Sequence, residues 1–207
     1  MTTWTPWQER AGRLAARWSR AIRPLPSILA VLLLTAASAC TPSVQGSVSP
    51  QRFATLRRIV LLPFAAPEGA PRGFSESFAD EMSSHLAGAR FAVLDRTRVV
   101  SALTSREILG GDLADPAVAA DVGEAMGADA VLVGRVVAYH DQALSPAVDT
   151  SLAISVRIVD VRTREVILST SSEATAAASF CSQEMTCLRG KVMSAIGHFI
   201  VEGVDRE

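Results

Sequence analysis

Between residues 57 and 86 the apolar residues change their spacing, and that change excludes most folds. Ile59, Val60, Leu61 and Leu62 run without interruption to Pro63 and Phe64. An unbroken apolar run of this length suits a strand buried on both faces, which a sheet achieves only with helices on either side. Pro63 near its end marks the strand terminus. Phe74, Phe78, Met82 and Leu86 then recur every four residues, a helical stripe followed by Gly88 at the expected C-terminal cap. A doubly covered strand leading into an amphipathic helix is the opening of an α/β domain.

The remainder repeats the alternation. Phe91 to Asp95 reads as a short strand, and Thr97 is placed to cap a helix carrying Val100, Leu103 and Ile108. Gly110, Gly111 and Asp112 end it as a loop. Asp115 followed by Pro116 is a helix start, with Asp as N-cap and Pro in the first turn, and Gly127 closes that helix. Ala130 to Tyr139 is the next strand, where Gly134 marks either a bulge or the close approach of another backbone. A loop through Ser145 and Pro146 leads to Leu152, Ile154, Val156 and Ile158, alternating with Ala153, Ser155 and Arg157, which gives a strand with one face wet. A tight hairpin continues into Glu165 to Thr170. Leu188, Val192 and Ile196, with Phe199 or Ile200, make a final helical stripe. The expected fold class is α/β: a single three-layer-like domain over residues 57–207, with a mixed sheet of about five strands flanked by helices in the order β-α-β-α-α-β-β-β-α.

Composition narrows the partners. The 207 residues are 49% apolar and 20% charged, with a net charge of −1. A nucleic-acid-binding domain would carry a basic surplus, and a disordered chain would carry fewer apolar residues. Lys191 is the sole lysine, so neither a phosphate-loop lysine nor a Schiff-base lysine is available elsewhere.

The first 40 residues follow another pattern. Arg10, Arg13, Arg17, Arg20 and Arg23 precede an apolar run from Ile28 to Ala37. Ten residues fall short of the roughly 20 that a membrane-spanning helix needs, so the run fits a signal-peptide core. It ends in Ala37, Ser38, Ala39 and Cys40, which resembles the cleavage box of bacterial lipoproteins, although Ala37 stands where leucine is usual. The resemblance implies a diacylglycerol-modified Cys40 as the mature N-terminus. Ala37 to Ala39 also fits an ordinary A-x-A site that would release an unanchored protein, and an uncleaved anchor or a misplaced start codon are further readings. The lipoprotein reading divides the chain into a signal peptide over 1–39, a short flexible tether over 40–56 and the domain over 57–207. Loss of residues 1–39 takes five arginines, one glutamate and all three tryptophans, moving the net charge from −1 to −5. With Cys40 acylated, Cys181 and Cys187 remain, six positions apart in an oxidising compartment, and a disulfide between them is expected; two reduced, buried cysteines are the alternative. The spacing is not that of a redox pair, and no His adjoins it for a metal.

Four pieces of the domain resemble one family: Val60 to Phe64 ending the first strand, Phe91 to Arg96 before a helix, Met126 to Gly134, and Ile158 to Ile167. In this order they are similar to the CsgG-type lipoproteins and the related TolB N-terminal-like domain. The resemblance implies a lipid-anchored domain on the periplasmic face of the bacterial outer membrane, serving secretion or envelope assembly without catalysis. Thr41, rather than aspartate, after the cysteine resembles outer-membrane lipoproteins. Arg164 departs from the pattern, since the family usually has glycine in that hairpin; a positive φ there would cost an arginine about 1 kcal/mol. The segments Ala65 to Gly73 and Tyr139 to Thr150 are also too short for the 9–11-residue strands of a pore-forming hairpin.

Nothing else in the sequence assembles a catalytic constellation. His85, His140 and His198 are scattered, no nucleophile elbow, zinc-protease helix or phosphate loop is present, and Asp95 with Arg96 reads as a local ion pair or cap. The expected function is a non-catalytic assembly or accessory factor working through contacts with other envelope proteins, self-association included, with no cofactor, no metal site and no nucleic acid. Regulation of peptidoglycan synthesis, or binding of a periplasmic solute or glycan, are the alternatives.

Overall fold

The strand–helix alternation is realised as a six-stranded open sheet in a computed structural model, which describes residues 42–67, 70, 73–87, 89–105, 113, 115–144, 147–182 and 184–205. In chain order the elements are β1 (Ser43–Val48), α1 (Pro50–Phe53), β2 (Arg58–Leu61), α2 (Phe74–Leu86), β3 (Ala92–Val93), α3 (Arg96–Ser105), α4 (Pro116–Ala125), β4 (Ala130–His140), β5 (Ser151–Asp160), β6 (Val166–Thr175) and α5 (Met185–Asp205). The sheet order is β1-β6-β5-β4-β2-β3. Strands β2, β3 and β4 run parallel, whereas β4, β5, β6 and β1 are joined antiparallel. Early strands are linked by helices and late ones by hairpins, so the α/β class and mixed sheet agree with the sequence.

The strand count does not. The expected tether over 40–56 contains β1 and α1, and β1 pairs with β6 from Ser43 opposite Glu173 to Val48 opposite Leu168. Three features bind this polar segment to the sheet. Val44 and Val48 alternate toward the helix-covered face. The Thr170 hydroxyl donates to the Gln45 carbonyl at 3.1 Å. Gly46 lets β1 pass under α5, because a Cβ there would stand 2.7 Å from both the Phe199 ring and the Ser169 carbonyl. Phe53 of α1 is fully buried and meets Phe91 edge-on at 6.1 Å.

Two apolar layers follow. On one face α2 and α5 cover the sheet through Phe78, Met82 and Leu86 and through Leu188, Val192, Ile196 and Ile200, against Leu132, Leu152, Ile154, Val156 and Ile158. Ile200, not Phe199, completes the last stripe; Phe199 is only partly buried. A half-buried ion pair, Arg189 Nε to Glu81 at 2.6 Å, joins the two helices while the guanidinium sits 5.4 Å over the Phe78 ring. On the other face α3 and α4 cover Val60, Leu62 and Val131, with Val133 and Val161 partly buried beside them and Val99 and Val122 as the main knobs. Val99 is buried and Val100 exposed, one position off the expected stripe. Asp95, not Thr97, caps α3: its carboxylate accepts from the Thr97 amide at 2.8 Å, while Arg96 pairs with Asp80 of α2. Asp115 accepts from the Ala117 amide at 2.8 Å, as its N-cap position predicts, and Gly127 closes α4 with φ +66°. Gly88, Ile108, Gly110 to Asp112, Ser145 and Pro146 lie outside the described residues, as do residues 1–41 with Cys40. No helix among the described residues is long and apolar enough to cross a membrane.

Candidate functional site

The four motif pieces meet one another in the structure, and each performs an architectural task. The Asp129 carboxylate, at the end of the turn that Gly127 makes, accepts from the amides of Arg57 and Arg58 at 2.9 and 2.8 Å. It thereby fixes where β2 begins beside β4. Gly134 in β4 faces the Phe64 ring, and an added Cβ would lie 2.2 Å from it. The close neighbour is thus a side chain and not a backbone, and the irregular register falls further on, between Val136 and Ala138. In the β5–β6 hairpin, Asp160 accepts from the Thr163 amide at 2.7 Å, and Arg164 takes φ 60°. Its guanidinium reaches Asp121 of α4 at 2.6 Å, so the side chain that replaces glycine ties the hairpin to a helix.

The histidines stay apart in role. His85 of α2 packs on Gly197 of α5, and His198 is an exposed residue of α5. His140 Nδ1 lies 3.2 Å from Ser151 Oγ, which is what their cross-strand register produces. Among the described residues no acid is bonded to that imidazole: Asp141 instead accepts from the Ala143 amide at 3.0 Å and faces the Tyr139 hydroxyl at 3.5 Å. Tyr139 packs edge-on to Phe74 at 4.9 Å, and partial burial, reinforced by Asp141, raises its pKa above the ordinary tyrosine value. Among the described residues no three His, Cys, Asp or Glu side chains are grouped to hold a metal. Cys181 and Cys187 are joined as a disulfide across six positions.

What remains open is surface. Helices α3 and α4 cover β2, β4 and the Val159 end of β5, so the same face of the rest of β5, of β6 and of β1 is bare. It presents Ser155 and Arg157, then Ser169, Ser171 and Glu173, then Ser43, Gln45 and Ser47. Where the bare face meets α4, a cleft of about 300 Å³ is walled by Pro63, Val133, Val137 and Pro116, with Arg135 and Arg157 at its mouth. Neither arginine is ion-paired among the described residues, and they are diagonal neighbours on adjacent strands, a placement suited to a partner's carboxylate. The outer edge of β1 pairs with no strand among the described residues and carries no charge and no proline, the devices that ordinarily discourage edge pairing. Sequence reasoning missed this edge because β1 was hidden in a segment that reads as turn-rich.

A half-open mixed sheet whose recurrent motifs serve its own architecture, and whose free groups lie on a flat face and an edge, defines a class of open-edged α/β domains. The family model described as curli production assembly/transport component CsgG matches residues 62–200, and the chain belongs to the CsgG family. Among curated proteins, none matches the sequence. The fold is similar to the PelC dodecamer subunit from Paraburkholderia phytofirmans, at 13% identity and a TM-score of 0.55, covering 78% of this chain and 98% of that one. Lipoprotein GNA1162 from Neisseria meningitidis overlays at 21% identity and a TM-score of 0.48, covering 69% and 95% of the two chains. The LpoB C-terminal domain from Salmonella enterica overlays at 12% identity and 0.42, covering 57% and 82%.

Proposed function

We propose that the protein is a lipid-anchored, non-catalytic accessory factor of secretion or envelope assembly, on the periplasmic face of the outer membrane, and that it works by contacts with other proteins and with copies of itself. The observation that carries this reading is the pairing of an uncharged free β1 edge with a bare, serine-rich sheet face in a CsgG-family domain. Antiparallel strand addition supplies main-chain hydrogen bonds, and the face beside it supplies register and selectivity. The fold's likeness to a subunit of the PelC dodecamer supports side-by-side self-association.

The short connections of the fold argue against a pore built by this chain. The β4–β5 link spans 141–150, less than a spanning hairpin requires. Regulation of cell-wall synthesis across the periplasm loses ground as well, because β1 begins at Ser43. Only Thr41 and Pro42 separate it from Cys40, a reach of about 11 Å. For the solute- or glycan-binding alternative, the cleft lined by Arg135 and Arg157 is the candidate, and its volume of about 300 Å³ is at the small end for a ligand site.

The test is the mass of the native protein by light scattering, with cross-linking in cells and identification of the captured chains. An oligomer that dissociates in a β1 edge variant carrying proline at Val44, whose amide faces the free edge because those of Gln45, Ser47 and Ser49 face β6, with its circular dichroism intact, supports the reading. A monomer at all concentrations that captures no envelope protein overturns it.

A further inference from the structure

Three of the six exposed large apolar side chains described, the two most exposed among them, lie at one end of the sheet. Phe180 and Leu144 are each 74% exposed, more than any other large apolar residue described, and Val148 is 41% exposed. Leu144 and Val148 lie in the β4–β5 loop, and Phe180 lies in the segment between β6 and α5. Strand register brings the two segments side by side: His140 is opposite Ser151, Ser151 is opposite Thr175, and the Ala176 amide donates to the Thr150 carbonyl at 2.8 Å. Ser43 is opposite Glu173, so the chain before β1 leaves the sheet at this same end.

The Phe180 segment is built to hold that ring outward. Phe180 and Ser182 have φ of 53° and 46°, a region that side-chain-bearing residues rarely adopt. Between them Cys181 is buried and bonded to Cys187 at the start of α5, and Lys191 donates to the Ser179 carbonyl. Strained backbone persists only where its surroundings enforce it, and here they enforce the exposure of an aromatic ring.

We propose that this end of the domain is a membrane-docking surface: Phe180, Leu144 and Val148 enter the interfacial region of the bilayer that holds the acylated Cys40. The inference rests on the lipid-anchor reading of Cys40. The length of chain selects the occupant, since three peptide links of at most about 11 Å confine Ser43 and its neighbours to the lipid headgroups. Apolar side chains held there bury about 5–10 Å into the headgroup and acyl boundary. The charges around the patch set the lipid preference. Asp141, Asp149, Glu173 and Glu184 outnumber His140 and Lys191, so binding is apolar in origin, favours zwitterionic lipid and is insensitive to salt. The domain is thereby held in one orientation, with the β1 edge leading away from the bilayer.

The processed chain contains no tryptophan, so single indoles report without background. The full protein is expressed as F180W, L144W and, at the opposite end of the sheet, V166W, and the mass of the mature N-terminus is read first. In vesicles of phosphatidylethanolamine and brominated phosphatidylcholine, F180W and L144W lose most of their emission and shift to shorter wavelength, while V166W keeps its emission. Phosphatidylglycerol does not strengthen the quenching. Equal emission from all three variants in acylated protein overturns the docking surface and leaves the anchor standing, and so does an F180W shift that follows protein concentration instead of lipid. An unmodified Cys40 overturns the anchor; the docking surface then stands if added brominated vesicles still quench F180W and L144W selectively, and falls if they do not.

Discussion

At the residue scale, the family motifs encode geometry. Asp129 offers one carboxylate oxygen to two successive amides that would otherwise be unpaired where β2 begins. Asp129→Ala leaves those donors unsatisfied and lowers stability by about 2 kcal/mol, measured by urea denaturation with an unchanged m-value. Gly134→Ala drives a methyl into the Phe64 ring, which is itself wedged against Phe78, and costs about 1–3 kcal/mol on the same assay. Tyr139 is the sole tyrosine, so its ionisation is read directly by ultraviolet absorbance. Burial raises its folded pKa above the unfolded value of about 10. Its contribution to stability is therefore complete below that value and lost as pH rises through the folded pKa. The absorbance midpoint lies above that of the urea-unfolded chain, and Asp141→Asn narrows the gap.

At the element scale, what was legible and what was not divides along the source of each element's stability. The β5 alternation of Leu152, Ile154, Val156 and Ile158 is local and strong, and the helix stripes of α2 and α5 are equally explicit, so both read correctly from spacing. The Asp115–Pro116 helix start and the Cys181–Cys187 pairing were legible for the same reason. Strand β1 was not. Its inward face holds only Val44, Gly46 and Val48, and its place is decided by β6 and by Phe199, more than 120 residues away in the chain. The bare face was hidden with it, since the strand read from the sequence ends at Thr170, whereas β6 runs on to Thr175 and carries Ser171 and Glu173. Replacing Gly46 by valine meets both the Phe199 ring and a backbone carbonyl that cannot retreat. The expected result is faster amide exchange along β1 and the outer edge of β6, with β4 and β5 unchanged. Cutting the Cys181–Cys187 link by double serine substitution costs about 2 kcal/mol from the short closed loop alone, read by thermal melting.

For the whole molecule, the structure presents three kinds of free surface at three places: a strand edge, a flat polar sheet face, and an apolar end. They can be occupied together, and a tethered scaffold requires that of its surfaces. Under the proposed processing at Cys40, Trp4, Trp7 and Trp18 are lost, and the expected emission of the mature protein is that of tyrosine only. Mature envelope material that retains an indole spectrum indicates a different N-terminus. The family was legible because the order of its motif pieces is local. The juxtaposition of the β4–β5 loop with the segment after β6 was not, because it depends on sheet register.

The strand that closes the sheet is the first to be made and nearly the last to find its partner. Gln45 is bonded to Thr170, 125 positions onward, so β1 cannot be seated until β6 is in place. Loop-closure entropy makes that final pairing slow. Truncation before β6 leaves β1 with no strand to pair with.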